Sequence, residues 1–142
     1  MSLPGHILLV EDSPADVELT LHAFASNRMT NEIKIARDGE EALAELEHEG
    51  AETPALILLD LKLPKIDGLD VLARIKANPR LRHVPVVVLT SSKEERDLLA
   101  SYERGVNSYI VKPVDFEKFG EAVRLIGFYW LLLNEPPRTA PD

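Results

Sequence analysis

Ala55-Leu-Ile-Leu-Leu59 is a run of consecutive apolar residues, opened by Pro54 and closed by Asp60. A run without polar alternation predicts a strand covered on both faces, and such strands belong to parallel sheets. Weaker versions of the same phrase recur on either side of it. His6-Ile-Leu-Leu-Val10 stops at Glu11-Asp12, Val84 to Leu89 (broken by Pro85) stops at Thr90, and Ser108 to Val111 stops at Lys112-Pro113. Glu32 to Ala36 reads as a brief alternating strand.

Helical periodicity fills the intervals. Ser13-Pro14 is a good N-cap and first-turn pair, ahead of Val17, Leu21 and Phe24, with an end near Asn27. Asp38-Gly39 turns into a second helix from Glu40 to about Glu49, with Ala42, Leu43 and Leu46 on its inner side. Leu63-Pro64 and Asp67-Gly68 punctuate a loop before a third helix, which carries Leu69, Leu72 and Ile75 and stops at Asn78-Pro79. A fourth helix is expected from Lys93 to Arg104, closed by Gly105, and a fifth from Asp115 to about Leu133. Five strand–helix units in succession predict an α/β domain with a five-stranded parallel sheet wrapped by helices on both faces. The domain is expected to span residues 1–134, with 135–142 a short, flexible, proline-rich tail.

Composition narrows the function classes. The chain has 142 residues, 45% of them hydrophobic, enough for one core without staples. There is no cysteine, so disulfides, thiolate metal sites and thiol nucleophiles are excluded, in keeping with a reducing cytoplasm. The first apolar run meets Glu11-Asp12 too early for an export signal, and Leu125 to Leu133 is too short to span a bilayer, so no membrane segment is expected. A net charge of −8 without a basic cluster lacks the footprint of a nucleic-acid binder.

In parallel sheets ligands bind beyond the carboxyl ends of the strands, where the winding reverses. With strand order 2-1-3-4-5 the first and third strands are neighbours, so Glu11, Asp12 and Asp60 converge. Three crowded carboxylates repel one another unless a cation or protons lie among them. Oxygen-only ligands suit a hard divalent ion, and few protein ligands suit Mg²⁺. Lys112 adds a positive charge and Thr90 a hydroxyl, which completes the parts that phosphoryl transfer requires. Singly, each residue has an ordinary explanation: Asp12 as a helix cap, Thr90-Ser91-Ser92 as an N-cap cluster, Lys112 as a surface lysine. Their common position at one end of one sheet is what sets them apart.

From His6 to Leu133 the sequence resembles the receiver domains of two-component response regulators. The matching pieces are Val10-Glu11-Asp12, Asp60-Leu-Lys-Leu-Pro64-Lys-Ile-Asp67-Gly68, Leu89-Thr90-Ser91 and Tyr109-Ile-Val-Lys112-Pro113. The resemblance implies a flavodoxin-like doubly wound (βα)5 fold, with Asp60 accepting phosphate from a histidine kinase. It implies that Asp12, Asp60 and the backbone carbonyl of Lys62 hold Mg²⁺ directly, with Glu11, a departure from the commoner aspartate, acting mostly through metal-bound water. Lys112 then pairs with Asp60 and the phosphoryl group ahead of a cis Pro113, while Thr90 and Tyr109 form the switch. A narrower likeness, carried by Pro14-Ala15-Asp16-Val17, Ser101-Tyr102, Gly105-Val106-Asn107-Ser108 and Phe128-Tyr-Trp-Leu131, is to single-domain regulators paired with bacterial phytochrome kinases. It implies a red-light-sensing kinase as donor.

Other readings fit less well. A flavin-binding protein of this winding needs Ser, Thr or Gly after the first strand, where Glu11-Asp12 repels phosphate. A phosphatase resembling the haloacid dehalogenases needs an aspartate where Lys62 stands. A receiver that has lost phosphate chemistry would lack Asp60, Asp12 or Lys112, and all three are present.

So few residues follow the fifth helix that the signal is expected to leave through a partner or through self-association. Phe116, Phe119, Val123, Ile126, Trp130 and Leu133 form one stripe suited to the core. Leu125, Phe128, Tyr129 and Leu132 form a second, and exposed contiguous apolar surface marks an interaction site. The sequence therefore predicts a homodimer through the face made by the fourth helix, fifth strand and fifth helix. In sedimentation at micromolar concentration the chain should run as a dimer that Phe128→Ala or Tyr129→Ala shifts toward monomer; a monomer indifferent to both removes the proposal.

Overall fold

The computed structural model describes residues 5–26, 28–90 and 108–111, together with Glu117 and Glu121. Its elements are β1 (Ile7–Val10), α1 (Pro14–Ser26), β2 (Ile33–Ala36), α2 (Gly39–Glu47), β3 (Leu56–Asp60), α3 (Gly68–Ala77), β4 (Val86–Thr90) and β5 (Ser108–Val111). The strands form one sheet in the order β2-β1-β3-β4-β5, with every neighbouring pair parallel. This is the α/β architecture and the strand order expected from the sequence. The expected fourth helix, the Lys112-Pro113 bond, the Leu125–Phe128–Tyr129–Leu132 stripe and the tail lie outside the described residues, and of the expected fifth helix only Glu117 and Glu121 are described, both helical.

Alternation along the strands divides the interior into two cores. Ile7, Leu9, Leu56, Leu58, Val87 and Leu89 pack on one face of the sheet with Val17, Ala23 and Phe24 of α1. Leu8, Val10, Ile57, Leu59, Val86 and Val88 pack on the other with Ala42, Leu43 and Leu46 of α2 and Val71, Leu72 and Ile75 of α3. All five residues of β3 are buried, as its unbroken apolar run requires. Consecutive side chains of β1, β3 and β4 therefore serve opposite cores.

The element boundaries follow local chemistry. Asp38 is the N-cap of α2, its carboxylate accepting from the Glu41 N–H at 2.8 Å, so the helix starts at Gly39 rather than Glu40. In α3 the inner face is Val71, Leu72 and Ile75, and Leu69, in the first turn, is only partly buried against that core. Likewise Leu21 of α1 is partly buried, and Thr20 and Ala23 lie fully inside. β4 begins at Val86 because Pro85 has no N–H to give; its carbonyl still accepts from Ile57 at 3.0 Å. Among the described residues no helix is long and apolar enough to cross a membrane.

Among the described residues Phe24 is the largest side chain buried to this degree, at 1% exposure, so Phe24→Ala should cost about 3–5 kcal/mol of stability. Urea unfolding followed by circular dichroism measures it, and a loss under about 1 kcal/mol would mean that this core collapses around the gap.

Candidate functional site

The hydrogen-bond ladder between β1 and β2 continues one step past Val10, with the Glu11 N–H donating to the Ala36 carbonyl at 2.9 Å. Glu11 is thereby fixed at the carboxyl end of β1 and is fully buried. Its Oε2 accepts from the Ser13 N–H at 3.2 Å. Ser13 in turn caps α1: its Oγ accepts from the Asp16 N–H at 3.3 Å and its carbonyl from the Val17 N–H at 2.9 Å. The cap is therefore Ser13, as the Ser-Pro pair predicts, and Asp12 before it stands exposed.

Asp60 is the last residue of β3 and is 4% exposed. Val10 pairs with Leu59, so one step further along the strands Glu11 and Asp60 are neighbours. Carboxylate oxygens of Glu11, Asp12 and Asp60 lie within 4.8 Å of one another. Two of these groups are buried and one is open to solvent, and like charges this close are relieved by a divalent cation. The donors are all oxygen, the set that a hard cation takes.

The segment after Asp60 turns back on itself. The Lys62 N–H donates to Asp60 Oδ1 at 3.1 Å, and the Leu61 N–H donates to the Leu89 carbonyl of β4 at 3.2 Å. Asp67 caps α3, its Oδ1 accepting from the Leu69 N–H at 3.1 Å, and the Gly68 N–H closes onto the Leu61 carbonyl at 3.1 Å. A Cβ on Gly68 would meet the Asp60 carbonyl oxygen and would stand 2.5 Å from Leu61 Cα. Space, not an unusual backbone angle, demands glycine here. The sequence marks Asp67-Gly68 as loop punctuation and as the end of the receiver-like stretch, and nothing in it separates a turn glycine from one pressed against the site.

Of the remaining expected site residues, the backbone describes Thr90, at the same end of the sheet, and Tyr109, further back along β5. Thr90 ends β4 opposite Val111, the residue before Lys112, and Tyr109 of β5 pairs with Val88. The side chains of Thr90 and Tyr109, and Lys112 altogether, lie outside the described residues. The structure thus brings Glu11, Asp12 and Asp60 together and sets Lys62 beside them.

Residues 7–124 match the family model of the response regulator receiver domain. The chain belongs to the response regulator receiver family. This receiver is 46% identical over 140 residues to the probable methanogenesis regulatory protein FilR2 of Methanothrix harundinacea, covering 96% of this chain and 90% of that protein. In structure it is similar to the bacteriophytochrome response regulator RtBRR, with a TM-score of 0.82 and 50% identity over 94% of this chain and 84% of the other. It is also similar to the Mn(2+)-bound form of the Synechocystis response regulator Rcp1, with a TM-score of 0.71 and 43% identity over 94% and 98% of the two chains. Receiver domains serve two-component signalling, in which a histidine kinase is the partner, and they bind a divalent metal; the oxygen-only cluster of this receiver fits such an ion.

Gly68→Ala should force the loop away from Asp60, with an expected stability loss of about 1–3 kcal/mol. Denaturant unfolding measures that loss, and calorimetric titration with a divalent cation should show weakened binding in the folded variant.

Proposed function

We propose that this receiver accepts a phosphoryl group on Asp60 from a histidine kinase, with Mg²⁺ held by Asp12, Asp60 and the Lys62 backbone carbonyl. The observation that carries the proposal is the cluster itself: a buried carboxylate ending the central strand, with a buried and an exposed carboxylate within 4.8 Å. When bound, the cation draws charge from the phosphoryl oxygens and so permits an anionic nucleophile to approach an anionic donor.

The chain's own residues account for the rest. An oxygen of Asp60 attacks phosphorus as the bond to the donor imidazole nitrogen breaks, and the electron pair leaves with the imidazole. Asp60 Oδ1 is held by the Lys62 N–H, which orients the carboxylate. Glu11, tied to the Ser13 N–H, keeps the pocket acidic from beneath. Lys112 pairs with Asp60 and then with the phosphoryl group, and Thr90 donates its hydroxyl to a phosphoryl oxygen. That contact draws the segment after β4 inward and lets Tyr109 turn from solvent into the space vacated. The chain assists its own dephosphorylation as well, with Lys62 and Ser92 flanking the path of the attacking water.

The likeness to RtBRR supports a bacterial phytochrome as the kinase, and the match to FilR2 marks the alternative of a kinase with another input. Output passes through the homodimer face that includes Leu125, Phe128, Tyr129 and Leu132.

Incubation with Mg²⁺ and a small acyl phosphate, followed by intact mass, should reveal a single phosphoryl adduct. Chelation of the metal and Asp60→Asn should each abolish it. An adduct that survives Asp60→Asn overturns the assignment.

A further inference from the structure

The loop 61–67 is fastened at both ends, and one fastening lies on α2, away from the acidic cluster. At its tip Lys65 adopts a φ of 68°, a left-handed conformation that a lysine disfavours and that persists only where its surroundings hold it. Lys65 Nζ lies 3.5 Å from Asp38 Oδ2 and 3.5 Å from Glu40 Oε1. Between these carboxylates sits Gly39, where a Cβ would fall 2.6 Å from Ile66 Cβ and against the Ile66 carbonyl. The N-cap and first residues of α2, Asp38-Gly39-Glu40, and the loop residues Lys65-Ile66 therefore make one interlocking contact of backbone and charge.

The α2 side of that contact is fixed in advance. Asp38 Oδ1 is engaged by the Glu41 N–H at 2.8 Å, the Glu41 carboxylate accepts from the N–H of Arg37, one residue before the cap, at 2.9 Å, and Asp38 Oδ2 is left facing Lys65. The Glu41 N–H, helped by Lys65 and opposed by burial, keeps the Asp38 carboxyl below the usual carboxylate range; Asp38 and then Glu40 hold the Lys65 ammonium above its own. At the other end Gly68 abuts the Asp60 carbonyl. Lys62, whose N–H holds Asp60 Oδ1, lies between the two fastenings.

We infer that Lys65 is a positioning residue for the metal-assisted reaction: its latch onto Asp38 and Glu40 holds the Lys62 backbone in place and so sets how tightly the acidic cluster binds its cation. This rests on the reading of Glu11, Asp12 and Asp60 as the cation site. Lys65 and Glu40 are both well exposed, so the latch works through partly screened charges and its effect is graded.

The test titrates Mg²⁺ calorimetrically into the full chain and into Lys65→Ala, Lys65→Arg, Glu40→Gln and Asp60→Asn. Lys65→Ala should weaken binding about two- to five-fold at low salt, as loss of one or two exposed ion pairs allows. Glu40→Gln should do so by less, and Lys65→Arg should restore most of the affinity. The gap between Lys65→Ala and the parent should close at about 1 M salt, where such pairs are screened. In the metal-free protein, hydrogen exchange at the Lys62 amide should quicken in Lys65→Ala. Equal affinities, a Lys65→Arg variant as weak as Lys65→Ala, or a gap indifferent to salt each overturn the latch. Asp60→Asn separates the two readings: if it too leaves affinity unchanged, the cation site itself is wrong, whereas its loss beside an unaffected Lys65→Ala removes only the latch.

Discussion

The chain winds from β1 through α1 to β2 at one edge of the sheet and then returns past its starting point to β3. Because α1 packs on one face and α3 on the other, the segments leaving β1 and β3 diverge from adjacent strand ends. In sheets of this winding ligands bind outside the strand ends at such a point, and whatever residues terminate those two strands face it. Glu11, Asp12 and Asp60 occupy those termini, so their proximity is a property of the winding before it is a property of any side chain. The metal, the phosphoryl group and the loop that turns back after Asp60 all depend on that divergence.

Burial makes the arrangement demanding. Glu11 and Asp60 are removed from water almost entirely, a situation that charged groups tolerate only with compensating partners. Backbone N–H groups of Ser13 and Lys62 supply part of the compensation, and each comes from the residue two places further along the chain. The same local turn therefore ends each strand and steadies its carboxylate. Asp12, exposed, leaves the cluster open on one side to an incoming ion and an incoming donor.

Much of this was legible in the residues. The unbroken apolar run of β3 announced a doubly covered parallel strand, and the Ser-Pro pair announced the start of α1. The polar residues at the strand ends announced the site, because strand polarity and winding are enough to bring them together. Less legible was anything that depends on close approach rather than periodicity. Val71 was passed over in favour of Leu69, since both fit a helical repeat and only the depth of the core at each turn distinguishes them. Gly39 and Gly68 read as turn residues, yet each is required by a neighbour that arrives from elsewhere in the chain, Ile66 in one case and Asp60 in the other. Lys65 carried no signal of its backbone conformation, because a lysine with positive φ is dictated by its surroundings and not by its own preference.

The closure of Gly68 onto Leu61 has a consequence for how such a domain can diversify. Once the chain returns to its starting point within a few residues, the stretch between behaves as an exchangeable cassette whose insertion points are fixed by the sheet and by α3. The side chains at positions 62 to 64 can vary in charge and size while the sheet beneath them keeps its register, so the surroundings of Asp60 can be altered without refashioning the scaffold. Divergence among regulators that share this architecture then has an inexpensive place to accumulate, one peptide turn away from the chemistry.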